Sequence, residues 1–209
     1  MSKFLKLVTI IAISFSSISC TKADDKVAMS PPLKQEDALP EYTAEVADLV
    51  TGQDISKELA GIRIKTSKDK EKNLKDVMGP DKTLFAVVKP GCIFCEAMLA
   101  VLSSTKPDVK PKLIFVMDKS HAGWDGFKKK ANANKAIKAE WIFDKTDSFH
   151  HVLGAKSFPR LIVVDSKGIV IENQIGLVLP EDKSKLEGLA MPEALQLLSL
   201  RTIEWMKGL

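Results

Sequence analysis

Two of the chain's three cysteines, Cys92 and Cys95, stand in the string VVKPGCIFCEAM at residues 87–98, with two residues between them. That spacing at a helix start brings the sulfurs together across one turn. A thiolate on the first can then attack a disulfide, and the second can attack the resulting mixed disulfide and release its partner. A bond between the two closes a loop too small to stabilise a fold by much, so the pair reads as a switch and not a staple. If the helix begins near Cys92, its free backbone N–H groups and positive dipole end favour a thiolate there, a nucleophile near neutral pH. Cys95, Met98, Leu99 and Leu102 then share one face at spacings of three and four and turn to the core, which leaves Cys92 exposed at the first turn. Lys89 reads as a solvated lysine at a strand end.

Several elements have to hold this string in place. A strand is expected over Thr83–Lys89, after Gly79-Pro80 and directly before the motif. KLIFVMD (Lys112–Asp118), AEWIFD and RLIVVD are continuous apolar runs of strand length, the pattern of strands buried on both faces. A further strand is expected over Ile62–Thr66, followed by a polar turn and a short helix near Lys72–Val77. Helical patterns cover Cys92–Ser103, Ala122–Ala136 and Thr146–Leu153. The DSKG turn at Asp165–Gly168 joins RLIVVD to IVIENQI as a hairpin. A last helix opens at MPEA, with Pro192 and Glu193 in its first turn, and closes near Gly208. Strands alternating with helices, plus one hairpin, give an α/β fold with a mixed sheet flanked by helices.

The 209 residues suffice for one domain with appended sequence, and 45% hydrophobic with 28% charged residues is a globular composition. Residues 1–19 read as a secretory signal, with Lys3 and Lys6 before the apolar stretch Leu7–Phe15, a stretch too short to span a bilayer. Cys20 stands where cleavage is expected, an arrangement that resembles a bacterial lipoprotein signal, in which that cysteine is lipidated. A plain secretory peptide that happens to carry a cysteine is the alternative. Residues 20–40 are polar, hold Pro31-Pro32 and Pro40, and read as a flexible tether. Residues 41–60 are an N-terminal extension without an assigned element, and 61–209 the folded domain. Loss of Lys3 and Lys6 takes two from the formal charge of +4 and leaves +2, too little to make nucleic acid a principal partner. His121, His150 and His151 are the only histidines. His150-His151 is not a chelating pair by spacing, and a zinc site would need two histidines beside the cysteines. Lys128-Lys129-Lys130 reads as a solvated helix face, and Trp124, Trp141 and Trp205 as packing residues.

From about Gly61 to Leu209 the chain resembles the thioredoxin fold, and in particular the membrane-tethered TlpA/ResA-like thiol-disulfide oxidoreductases. The resemblance rests on strand–PGCIFC–helix and on SFPRLIVVDSKGIVIENQIG, where those families place a cis-proline facing the cysteines. It implies Cys92 and Cys95 as the catalytic pair, Pro159 as the cis-proline, and Phe158 as a source of backbone hydrogen bonds to a bound polypeptide. It further implies an extracytoplasmic enzyme lipid-anchored through Cys20 to a bacterial membrane, on the periplasmic side in a Gram-negative cell. Its partners would be client proteins with cysteines or disulfides and a membrane redox protein that recycles the pair. No cofactor and no metal are expected. Thioredoxins keep a carboxylate where Ala86 stands, and ResA-like members a glutamate where Met98 stands, so neither proton-transfer group is present; Glu96 should lie off the face of Cys95. Two other readings use the same residues. One is a soft-metal module with Cu(I) on the two thiolates, which lacks a nearby third ligand. The other is a peroxiredoxin-like peroxidase, for which Phe85 and Lys89 occupy the expected proline and threonine places.

Overall fold

Along Lys82–Val87 (β3), Leu84 and Ala86 enter one apolar core while Phe85 and Val87 enter another, as period-two alternation requires of a strand covered on both faces. The computed structural model describes residues 48–209. The signal, Cys20, the tether and residues 41–47 lie outside the described residues. Helix α1 (Ser56–Gly61) leads into the hairpin β1 (Arg63–Thr66) and β2 (Glu71–Asn73), then a 3-10 turn at Leu74–Val77 and β3. After β3 come α2 (Ile93–Thr105), β4 (Lys112–Asp118), α3 (Trp124–Ala133), β5 (Glu140–Asp144) and the single turn α4 (Ser148–His151). The chain closes with β6 (Arg160–Asp165), β7 (Val170–Ile175), a 3-10 turn at Lys183–Leu186 and α5 (Met191–Gly208).

Seven strands form one mixed sheet in the order β2-β1-β5-β4-β3-β6-β7. Strands β3, β4 and β5 run parallel, with Val87 opposite Val116 and Asp118 opposite Asp144, so their carboxyl ends share one edge of the molecule. Strand β6 runs antiparallel to β3, which brings its first residue, Arg160, opposite Val87 at that same edge. One core, with Leu84, Phe115, Trp141 and Leu161, packs against Met98, Leu99, Phe127 and Ile203 of α2, α3 and α5. The other, with Phe85, Ile114, Ile142 and Ile162, packs against Leu59, Leu74 and Phe149 of α1, the first 3-10 turn and α4.

The first strand, the strands from β3 onward, α2 and the last helix follow the sequence expectation closely; the segments at residues 71–77 and 146–153 do not. The helix expected at Lys72–Val77 is a three-residue strand and a 3-10 turn, because residues 71–73 pair with β1 as the far side of a hairpin. The pairing outweighs the helical preference of a few polar residues. The helix expected over Thr146–Leu153 is one turn, and Gly154 follows soon after with φ 63°. Helix α3 occupies only the middle of the expected Ala122–Ala136. The described part of the 41–60 segment belongs to the second core, with Leu49, Ile55 and Leu59 buried and Asp54 bridged to Ile169. No helix among the described residues is long and apolar enough to cross a membrane.

Candidate active site

The link from β3 to α2 is Val88-Lys89-Pro90-Gly91-Cys92. Gly91 takes φ 74°, a left-handed conformation that costs glycine little, and turns the chain so that Cys92 becomes the N-cap of α2. The Cys92 Sγ accepts the Cys95 backbone N–H at 3.2 Å, where a serine or aspartate oxygen would serve in an ordinary cap. The Cys92 carbonyl accepts the Glu96 N–H at 2.9 Å and begins the helical ladder. On its other side, Cys92 Sγ donates to the Phe158 carbonyl at 3.6 Å. The Phe158–Pro159 peptide is cis. The structure thus brings together all four residues read from the sequence, Cys92, Cys95, Phe158 and Pro159.

Both cysteines are free thiols, and both are more enclosed than a helix start alone would make them. Cys95 is fully buried and Cys92 is only 9% exposed, against the expectation of an open first turn. The cover comes from chain segments distant in sequence. Phe158 and Leu177 belong to the same apolar cluster as Cys92, and the Gly176 N–H bonds the Pro159 carbonyl at 2.8 Å, tying the segment after β7 to the cis-proline. Burial, reinforced by the neighbouring Cys92 sulfur, pushes the Cys95 thiol well above its ordinary value, so it holds its proton in the reduced protein. The two residues between the cysteines point outward: Ile93 is 53% and Phe94 41% exposed, an apolar rim beside the Cys92 sulfur.

Lys89 is not simply solvated. Its ammonium lies 5.4 Å above the Phe158 ring. Glu96 pairs with Lys130 of α3, so one of the three consecutive lysines ties α3 to α2, while Lys128 pairs with Asp125. Trp124 and Trp141 pack as expected, against Phe127 and Phe115 respectively.

Sequence reasoning considered His121 only as a metal ligand. In the fold it is drawn in beside Phe158, with ring centroids 4.5 Å apart, while its Nδ1 bonds the buried carboxylate of Asp118, the last residue of β4. The string DKSH, an acid and a histidine three residues apart at the end of a buried strand, is the signal that could have found this pair. His150 and His151 stand on α4, with the His150 ring 5.9 Å from that of His121. Among the described residues no group of three or more His, Cys, Asp and Glu side chains is arranged to hold a metal ion. A cavity of about 750 Å³ lined by Pro80, Lys82, Lys112, Glu140 and Leu209 lies at the opposite ends of the strands, away from the cysteines.

No protein-family model matches the chain, and no curated protein matches it. Solved structures do. An uncharacterized conserved protein from Geobacillus kaustophilus superposes with a TM-score of 0.51 at 12% identity, over 78% of this chain and 86% of that one. The thioredoxin domain of a thiol-disulfide oxidoreductase from Bacteroides vulgatus gives 0.45 at 20% identity, over 62% and 91%. The exposed lipoprotein thioredoxin of Streptococcus pneumoniae gives 0.44 at 15%, over 68% and 97%. At such identities the likeness is one of fold, and the strand order and the flanking helices make the fold of the described residues a mixed α/β sheet covered by helices on both faces.

Proposed function

We propose that this protein is a thiol-disulfide oxidoreductase, working on the extracytoplasmic side of a bacterial membrane and held to that membrane by lipid on Cys20. The observation that carries the reading is the placement of Cys92: its sulfur caps α2, touches the Cys95 N–H at 3.2 Å and lies 3.6 Å from the Phe158 carbonyl beside the cis peptide. A sulfur at a helix N-terminus, with an accepting backbone next to it along which an extended client can lie, is placed for attack on a client disulfide.

The Cys92 thiolate attacks a client disulfide, forming a mixed disulfide and expelling one client thiolate. Cys95 then loses its proton and attacks Cys92 Sγ, so that the Cys92–client bond breaks as the Cys92–Cys95 bond forms and the second client sulfur leaves with the electron pair. A membrane redox partner supplies the two electrons that restore the dithiol. Exposed Ile93 and Phe94 beside Cys92 suit a partly unfolded client that offers apolar side chains around its cysteine.

The test separates the two sulfurs. Cys92→Ser should abolish reduction of a disulfide-bonded test protein, while Cys95→Ser should still attack and stall, accumulating a covalent adduct through Cys92 on non-reducing gels. Equal loss in both variants with no adduct from either, or copper that co-purifies and protects both thiols from alkylation, overturns the reading.

A further inference from the structure

Resolution of the mixed disulfide needs somewhere to put a proton. Cys95 is fully buried and holds its own, and the nearby interior positions Ala86 and Met98 are apolar and equally buried. One layer outward, at the shared carboxyl edge of β4 and β5, stands a set of titratable groups that the sulfur chemistry as described leaves idle.

Asp118 is at its centre. Its carboxylate is fully covered; Oδ1 accepts the Ser120 hydroxyl at 2.7 Å and bonds His121 Nδ1, while Oδ2 is buried without a partner. With Nδ1 against the Asp118 carboxylate and the Ser120 hydroxyl, Nε2 is the ring nitrogen left to exchange a proton. The His121 side chain is 18% exposed and so reaches solvent. Its ring packs on the Phe158 ring at 4.5 Å, and Phe158 is the residue whose carbonyl meets Cys92 Sγ. The other charged or titratable groups around it are His150 and His151 on α4, Asp147 before that turn, whose carboxylate accepts the Ser120 N–H at 3.4 Å, Asp144 at the end of β5, and Lys89 across the Phe158 ring.

We propose that His121, held by Asp118, is the proton relay of the thiol exchange. The inference rests on the oxidoreductase reading above and deepens it. As Cys95 attacks, its proton passes through solvent at the site's mouth to His121 Nε2. The imidazolium, hydrogen-bonded to the Asp118 carboxylate, then returns a proton to the client thiolate that leaves Cys92. One S–S bond breaks, one forms, and the proton lost by Cys95 is matched by the one gained by the client. His121 touches neither sulfur, so it is a positioning and relay residue, and Phe158 is the wall that fixes its distance from Cys92.

The experiment follows release of a peptide from a fluorescent, disulfide-linked peptide substrate in single turnover, using the full-length protein in detergent, across pH. Against wild type, His121→Gln should slow release by about tenfold or more, the low end of what a positioned general acid–base group contributes. The Cys92–peptide adduct should accumulate, and one titration step should vanish from the pH profile. Asp118→Asn, which keeps shape but removes the charge, should slow release in the same direction, and it carries the test if the histidine variant does not fold. Added imidazole should restore release in His121→Ala. A wild-type rate and pH profile in His121→Gln, or slow release in His121→Ala that imidazole does not restore, overturns the relay while leaving the oxidoreductase reading intact. If wild type itself releases no peptide, the oxidoreductase reading is what has failed, and the relay falls with it.

Discussion

At Cys95 the enclosure that protects the resolving sulfur also ties stability to pH. Burial raises the thiol from its ordinary value of 9.0, so over the range above that value the unfolded chain has lost the proton that the folded chain still holds. A raised value means that the stability from this group is complete below the ordinary cysteine range and is lost as pH rises through it, by at most about 1.4 kcal/mol per pH unit for one proton. The disulfide form has no such thiol. Urea unfolding of reduced and oxidised protein between about pH 8 and 10.5 should therefore show a falling stability in the reduced form that is absent from the oxidised form. Parallel slopes would place the titrating group elsewhere. Asp144 is a second buried acid held above its ordinary value, chiefly by burial and then by the nearby Asp118 charge, although Phe149 N–H at 2.8 Å and Thr146 pull the other way. Its work is local: those bonds set the single turn that carries His150 and His151.

At the scale of elements, two glycines do different jobs. Gly168 closes the β6–β7 hairpin with φ 94°, and a Cβ there would stand 2.8 Å from the Ser56 Cα. Gly91 has φ 74° before the cysteine motif, and a Cβ would meet nothing within 4 Å. Gly168→Ala therefore adds a backbone clash with the start of α1 to the conformational strain, whereas Gly91→Ala carries the strain alone, on the order of 1 kcal/mol. Thermal unfolding of the two variants should rank Gly168→Ala clearly the less stable; the reverse order, or equal losses, would mean that α1 yields freely at Ser56. Arg160, directly after the cis-proline, shows how the N-terminal segment is tied in. Though buried, it donates to Asn173 Oδ1 at 2.6 Å and pairs with the exposed Asp48 at 3.3 Å, while the Asn173 amide bonds the Leu49 carbonyl at 2.6 Å.

Over the whole described molecule, Phe158 is partly buried against both cores at the edge where the parallel strands end, and the cysteines, the cis peptide and the acid–histidine set gather around it. The reading of the N-terminus adds an anchor. With Cys20 lipidated, as proposed, the domain would be held within reach of membrane partners. Fractionation tests this: Cys20→Ala should move the protein from the membrane to the soluble fraction while keeping thiol reactivity. A variant as membrane-bound as wild type removes the anchor.

The sequence by itself determined the long strands, the C-terminal helix and the positions of Cys92, Cys95, Phe158 and Pro159, because each is written in a local signal. Lys112–Asp118 and Arg160–Asp165 are unbroken apolar runs, the helix from Met191 carries its own start and stop residues, and CxxC and F-P-R are strings of adjacent residues. The hairpin at residues 63–73, the shortness of α4, the covering of Cys92 and the placement of His121 were decided only in three dimensions. Residues 71–73 become a strand because β1 offers an edge, and three polar residues have too little intrinsic preference to resist it. Cys92 meets Phe158, and shares an apolar cluster with it and Leu177, more than 60 residues away along the chain. His121 acquires its place because β4 ends beside β3 and β6 begins at the same edge, and no period along the chain records which strand ends become neighbours.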